Sequence, residues 1–105
     1  MRVLFDQGTP APLRHLLIVH EVRTAAEMGW STLSNGELIA AAEREFDVLV
    51  TTDQNLRYQQ NLAGRRLAIV VLSTTSWPRI RANAGAVIAA VDSAVAGQYV
   101  EIAVP

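Results

Sequence analysis

The chain has 105 residues and a formal net charge of −1 at pH 7, and half of its residues are hydrophobic, which predicts one soluble domain over residues 1–105 with no membrane-crossing segment. Because the net charge is near zero, any binding to nucleic acid would have to depend on a local basic patch and not on overall basicity. All nine basic residues other than histidine are arginines, which suit local phosphate contacts or simply reflect the base composition of the gene. The absence of cysteine excludes disulfides and thiolate metal sites, and the lack of a secretory signal pattern favours a cytoplasmic location.

The first residues predict a strand followed by a helix. Arg2 to Phe5 reads as a buried strand that stops at Asp6. Thr9 is a suitable N-cap and Pro10 a suitable first helical residue, so a helix is expected from there to about Val19 or His20. Its apolar stripe is formed by Leu13, Leu16 and Leu17.

The middle of the chain predicts a short strand, a brief helix and a longer helix. Residues 21–23 have the pattern of the strand, and Thr24 is placed to cap the brief helix. Ser34 and Glu37 form the S-x-x-E pattern of a capping box. It opens a helix with apolar residues at helical spacing as far as Phe46.

Two wholly apolar runs predict buried strands in the second half. Val48 to Val50 is short and β-rich, and Asp53 follows it closely. Residues 67–72 form the clearest buried strand of the chain. The polar stretch over residues 54–64 predicts a loop with a short helix, and residues 99–104 alternate as an edge strand does.

Pro78 to Ala96 predicts one long helix that Gly97 ends. Its many alanines widen the apolar surface beyond what one core needs, so we expect a second copy of the chain, giving a homodimer, or an antitoxin-like protein to cover it. The alternative is that the alanines only reflect helix propensity.

The alternation of strands and helices predicts an α/β fold with a doubly wound, mainly parallel sheet. Asp6 and Asp53 both follow strands, and the carboxyl ends of parallel strands meet at one edge, where ligands bind. Two converging carboxylates indicate a site for a hard cation such as Mg²⁺ or Mn²⁺. The alternative for Asp6 is an ordinary turn residue that bonds its own backbone.

Four segments of the chain resemble, in order, the bacterial PIN-like family with a Mut7-C-like core, formerly a domain of unknown function. They are VLFDQGTPAPL, HEVRTAAEMGW, SNGELIAAAE and VLVTTDQNL, and the resemblance extends to about Thr75. It implies a three-layer α/β/α sandwich with a mainly parallel central sheet. It also implies a metal-dependent ribonuclease, since PIN domains at large have that activity and many are toxins of toxin–antitoxin pairs.

The resemblance also implies site residues. The family's acids at two strand ends fall on Asp6 and Asp53, which would be catalytic ligands of Mg²⁺ or Mn²⁺. A third acidic position falls on Asn35, which has no charge. Either Glu37 takes over, or Asn35 orients a water or binds the metal through its side-chain carbonyl, or the site keeps two carboxylates. The alternative function is therefore a catalytically weak or inactive PIN-like module that binds RNA or a partner protein.

Polar neighbours of these acids are candidates for supporting roles. Uncharged side chains that would orient the carboxylates are Gln7, Thr52 and Asn55. Candidates for contacts with the phosphates of an RNA substrate, unless they are merely solvated, are Arg57, Arg65 and Arg66. Glu27 is a surface helix residue or a further ligand. Trp30 and Trp77 flank loops, where tryptophan either stacks on bases or, more commonly, covers the edge of the core.

Overall fold

Five parallel strands form the centre of the molecule in the computed structural model, which describes all 105 residues. The strands are β1 (Arg2–Phe5), β2 (Glu21–Thr24), β3 (Val48–Thr51), β4 (Ala68–Leu72) and β5 (Tyr99–Ile102). They lie in the order β2-β1-β3-β4-β5, and every pairing is parallel. The apolar runs of β1, β3 and β4 are buried on both faces, as expected for inner strands of a parallel sheet.

Helical segments cover both faces and complete the predicted α/β/α sandwich. A 3-10 helix (Ala11–Leu16) follows β1, and the α-helices are α1 (Asn35–Glu45), α2 (Leu56–Gln59), α3 (Trp77–Ala82) and α4 (Ala84–Asp92). One core packs the 3-10 helix, α3 and α4 against one face, and a second core packs α1 and α2 against the other. No helix is both long and apolar enough to span a bilayer.

The helix predicted from Pro10 to about His20 is wrong in type and length. The segment is a 3-10 helix in which Leu13 donates its backbone N–H to the carbonyl of Pro10, three residues back. Pro12 supplies no N–H, and Thr9 does not cap the helix, because its hydroxyl bonds Asp6 and Val50 instead.

The brief helix predicted after Thr24 is also absent, and a hydrogen-bonded turn stands in its place. Thr24 and Glu27 do exchange the two bonds of a capping box: the Glu27 N–H lies 3.1 Å from Thr24 Oγ1, and the Thr24 N–H lies 2.8 Å from Glu27 Oε1. Gly29, with φ of 75°, reverses the chain before a second turn forms.

The single helix predicted from Pro78 to Ala96 is divided into α3 and α4. Asn83 has φ of −120° and ψ of 24°, and its side chain donates to the carbonyl of Arg79 at 2.9 Å. This bond competes with the regular helical pattern and breaks the helix there. Helix α4 ends at Asp92, so Val95 lies outside it and is 63% exposed.

The remaining predicted elements are confirmed. The capping box of Ser34 and Glu37 is present in full and opens α1. Helix α2 is the short helix expected after Asp53, and β5 is an edge strand as predicted.

The last crossover of the sheet differs in hand from the other three. The connection from β1 to β2 moves toward one edge of the sheet and crosses the face that carries the 3-10 helix. The next two connections move toward the other edge and cross the opposite face, through α1 and α2. These three share one hand. The connection from β4 to β5 keeps the direction of the two before it but passes through α3 and α4 on the face of the 3-10 helix. Its hand is therefore opposite to that of the other three crossovers, although parallel crossovers in one sheet normally share the same hand.

Candidate functional site

Asp6 and Asp53 lie at the carboxyl ends of two neighbouring strands. In the register of β1 and β3, Phe5 lies opposite Val50, and Asp6 follows directly with its N–H donating to the Val50 carbonyl at 3.2 Å. Asp53 comes two residues after the end of β3. Strand β2 lies on the other side of β1, so the chain order reverses between β1 and β3, and this is the edge position where doubly wound sheets bind ligands.

Three donors orient the carboxylate of Asp6. Thr9 contributes its N–H at 3.1 Å and its hydroxyl at 2.8 Å, both to Oδ1. The Thr9 hydroxyl also lies 2.9 Å from the Val50 carbonyl, so its single proton is shared between two acceptors. Thr51 donates its hydroxyl to Oδ2. Because Thr9 and Thr51 are buried, the Asp6 carboxylate is held by fixed groups rather than by mobile side chains.

Thr51 joins the two aspartates. Its hydroxyl oxygen accepts the backbone N–H of Asp53 at 3.1 Å and donates its proton to Asp6. Sequence reasoning missed this role for Thr51 and the role of Thr9. Strand alternation gives a partial signal for Thr51: Leu4 and Leu49 face the same core, so two residues further on Asp6 and Thr51 emerge on that same side. Their contact also requires the register of β1 and β3.

Asn35 holds the carboxylate of Asp53. Its side-chain Nδ2 donates to Asp53 Oδ2 at 2.8 Å, and the N–H of Asn55 donates to Oδ1 at 3.0 Å. Asn35 is the first residue of α1, and the capping box of Ser34 fixes where that helix begins. The structure thus brings the uncharged residue at the expected third acidic position against Asp53.

Glu37 is engaged elsewhere. Its Oε1 accepts the N–H of Ser34 at 3.0 Å, and its own N–H lies 3.3 Å from Ser34 Oγ. The bond from the Ser34 N–H is the main cause that lowers the pKa of Glu37 from 4.5. No group of three or more histidine, cysteine, aspartate or glutamate side chains is placed to hold a metal ion, so Glu37 does not complete a preformed triad with the aspartates.

The three arginines predicted to contact phosphate do not converge on the aspartates. Arg57 pairs with Glu101 at 2.9 Å and donates to the Tyr58 hydroxyl at 2.6 Å. Arg65 and Arg66 precede β4, so they lie at the amino edge of the sheet, opposite the site. There Arg65 pairs with Glu43 at 2.8 Å, and Arg66 lines a separate, mixed-charge cavity of about 340 Å³.

The other predicted neighbours have different roles from those expected. Gln7 donates its side chain to the Ser31 carbonyl at 3.1 Å and so ties two loops together, while Asn55 supports Asp53 through its backbone alone. Thr52 closes onto Gly8: a Cβ at Gly8 would lie 2.3 Å from Thr52 Oγ1, so only glycine permits this approach.

Glu27 is bound by an ion pair. Arg14 Nη2 lies 2.6 Å from its Oε1, and this bond with the Thr24 N–H lowers the pKa of Glu27 from 4.5 to about 2. Neither contact leads to the aspartates, so the structure gives Glu27 a structural role.

The oxygen atoms at the site suit a hard cation. A carboxylate has about four lone-pair positions; Asp6 accepts three bonds and Asp53 two, which leaves free positions on each. The carbonyl oxygen of Asn35 is also free, and Asn35 and Asp6 line one small pocket of about 120 Å³. Mg²⁺ commonly takes one or two carboxylates and keeps several waters, so this donor set is sufficient without a third acid.

No family model, curated protein or solved structure shows a significant match to this chain.

Proposed function

We propose that the chain is a metal-dependent ribonuclease that uses Mg²⁺ or Mn²⁺ held by Asp6 and Asp53. The observation that carries the proposal is the linkage of these two carboxylates through the Thr51 hydroxyl at the reversal point of the sheet. The sequence resemblance to PIN-like nucleases supports the same reaction, with the same two aspartates in the same role.

The residues of the chain would fix the geometry of the reaction. A bound divalent cation lowers the pKa of a coordinated water and neutralises charge on the scissile phosphate, so no protein nucleophile is required. Asp6 and Asp53 would direct their free lone pairs to that cation, since their other lone pairs are occupied by Thr9, Thr51 and Asn35.

Histidine does not enter this proposal. The ring of His20 lies at the amino edge of the sheet, ahead of β2, with its Nε2 2.6 Å from Asp92 Oδ1. A metal-activated water makes a separate general base at the aspartates unnecessary.

A second candidate function is a catalytically weak or inactive PIN-like module that binds RNA or a partner protein. The neutral side chain of Asn35, and the engagement of Glu37 in the capping box, favour it. As a result, only two carboxylates contribute negative charge to the site. A site with less negative charge binds a cation more weakly.

We further propose that the chain associates through α4, either with a second copy to form a homodimer or with an antitoxin-like protein. The residues Ala86 and Ala89 of α4 are exposed, and the nearby Val95 is 63% exposed. Small side chains allow another helix to approach closely, which favours this surface for association.

A cleavage assay tests the reaction. The parent protein is expected to cut RNA with Mg²⁺ or Mn²⁺ and to lose the activity in a chelator. Asp53→Asn keeps the size of the side chain and should abolish cleavage while the circular dichroism spectrum stays unchanged. Asp92→Asn, at the opposite edge of the sheet, is the matched control and should cut normally. Equal cleavage by Asp53→Asn and the parent would remove Asp53 from the reaction.

A further inference from the structure

Asp6 also lines a second, larger cleft, of about 640 Å³, on the face of the 3-10 helix. Its walls come from three parts of the chain: the start of the 3-10 helix at Pro10, the turn after β2 at Ala25 and Ala26, and the start of α3 at Trp77 with the preceding Thr75. Its volume falls within the range of cavities that bind small ligands. The cleft opens at the carboxyl edge of the sheet, next to the proposed metal site.

The charge of the cleft decides what kind of group it suits. Of its eleven lining residues, Asp6 is the single charged one, and no arginine or histidine reaches it. A phosphate would therefore find no basic side chain and would meet the negative charge of Asp6. A neutral, flat and partly polar group is the better fit.

The polar groups of the cleft have unused hydrogen-bonding capacity. The indole N–H of Trp77 and the hydroxyl of Thr75 make no hydrogen bond within the protein. Thr75 is exposed and Trp77 is partly exposed, so solvent reaches both residues. They stand beside apolar walls of proline, alanine and the indole ring, a combination of a stacking surface and free donors that suits a nucleobase.

We propose that this cleft is a nucleobase subsite, in which an unpaired base of RNA next to the scissile phosphate stacks against Trp77. The inference rests on the proposed function, because a cation held by Asp6 would fix where the scissile phosphate lies. A base held in a duplex is stacked on its neighbours and cannot enter, so the subsite selects unpaired nucleotides. The proposed subsite and the proposed metal site adjoin each other, because Asp6 lines both the cleft and the small pocket that Asn35 also lines.

The first test follows the two indole N–H signals of the full chain by NMR. The probe is a single-stranded RNA hexamer, added once in EDTA and once with Mg²⁺, with cleavage products measured in the same samples. The Trp77 signal, assigned by its loss in Trp77→Phe, should move and saturate, and in EDTA it should move more than the Trp30 signal, since Trp30 lines the small pocket of Asp6 and Asn35 and not the cleft. A duplex of the same sequence should leave both unchanged. Absence of a Trp77 shift in both buffers, or an equal shift with duplex, would overturn the subsite.

The second test measures RNA affinity in variants. Trp77→Ala should raise the Kd about tenfold or more, as loss of one stacked base does, and Trp77→Phe should retain most of the affinity. Trp77 also packs against the core, so Ala26→Glu provides a variant that leaves the core intact, because Ala26 is exposed. It should weaken binding by at least the same factor, whereas Ala63→Glu, the same change outside the cleft, should not. Unchanged affinity in Ala26→Glu and Trp77→Ala would contradict the proposal.

These results separate the two proposals. If Asp53→Asn abolishes cleavage but the cleft variants bind RNA as the parent does, the subsite is wrong and the ribonuclease stands. If the Trp77 signal responds to RNA but no metal-dependent cleavage occurs, the cleft binds RNA and the ribonuclease proposal fails.

Discussion

The hydroxyl of Thr51 makes two hydrogen bonds, one with each aspartate of the site. It donates to Asp6 and accepts from the N–H of Asp53, and Thr51 itself is only 2% exposed. Water therefore cannot easily replace the hydroxyl. The relative position of the two aspartates depends on this one side chain and on the register of β1 and β3.

Thr51→Val should destabilise the protein by about 1–2 kcal/mol, because an Asp6 oxygen and the Asp53 N–H each lose a hydrogen-bond partner in a partly buried site. Urea unfolding at neutral pH measures the change. Thr32→Val is the control: the Thr32 side chain is exposed and its hydroxyl makes no hydrogen bond within the protein, so this change should alter stability by about 0.5 kcal/mol or less. An equal effect of the two substitutions would show that the Thr51 bridge contributes nothing specific.

The aspartates were predictable from sequence and their supports were not. An acid that closely follows an apolar run can be recognised in the sequence alone. The parallel pairing of β1 and β3 then places Asp6 and Asp53 at the same edge of the sheet. Thr51 belongs to the strand itself, and its partners come from two chain segments, so its role follows only from the register. The position of Asn35 against Asp53 likewise required the packing of α1.

At the scale of elements, local hydrogen-bond patterns predicted helix starts better than helix lengths. The same reciprocal bonds occur at Ser34 and at Thr24, yet only the first opens a full helix. After Ser34 an apolar stripe packs α1 onto the sheet, whereas after Thr24 the chain reverses at Gly29. Tertiary packing and not the cap decided the length. The break at Asn83 has the same origin, since one side-chain bond divides an otherwise apolar helix.

The turn after β2 gives a prediction for the pH dependence of stability. The pKa of Glu27 is lowered from 4.5 to about 2, first by its bond with Arg14. A carboxyl whose pKa is lowered by folding stabilises the folded state above its unfolded pKa, and that contribution is lost as the pH falls through the folded value. The stability gap between the parent and Glu27→Gln should therefore be constant near neutral pH, shrink below about pH 4.5 and vanish near pH 2.

Urea unfolding across this pH range measures the gap. Arg14→Met removes the main partner of Glu27 and should flatten the same part of the pH profile. A gap between the parent and Glu27→Gln that does not change with pH would contradict the assigned role of the ion pair.

At the scale of the whole molecule, the opposite hand of the last crossover determines which surfaces meet. Because α3 and α4 lie on the face of the 3-10 helix, Trp77 comes beside Pro10 and faces the cleft that Asp6 lines. A crossover of the usual hand would put Trp77 on the other face. The alternation of strands and helices predicted the fold class but carried no information about this hand, which depends on packing between distant segments.

The exposed alanines of α4 give a prediction for assembly. If α4 pairs with a second copy, light scattering at micromolar concentration should give twice the 11.4 kDa mass of one chain. Ala86→Glu places a charge on the exposed face and should restore the single mass. A mass of one chain that does not change on concentration would contradict self-association. A different protein would then remain the candidate partner for α4.

The central claim is that Asp6 and Asp53 together hold a divalent cation, and calorimetric titration with Mn²⁺ tests it most directly. The parent should bind one Mn²⁺ per chain saturably. Asp6→Asn and Asp53→Asn should each weaken binding by about tenfold or more, a loss of about 1.4 kcal/mol, and Asp92→Asn should bind as the parent does. No saturable binding by the parent, or equal affinity in Asp6→Asn, would contradict the account.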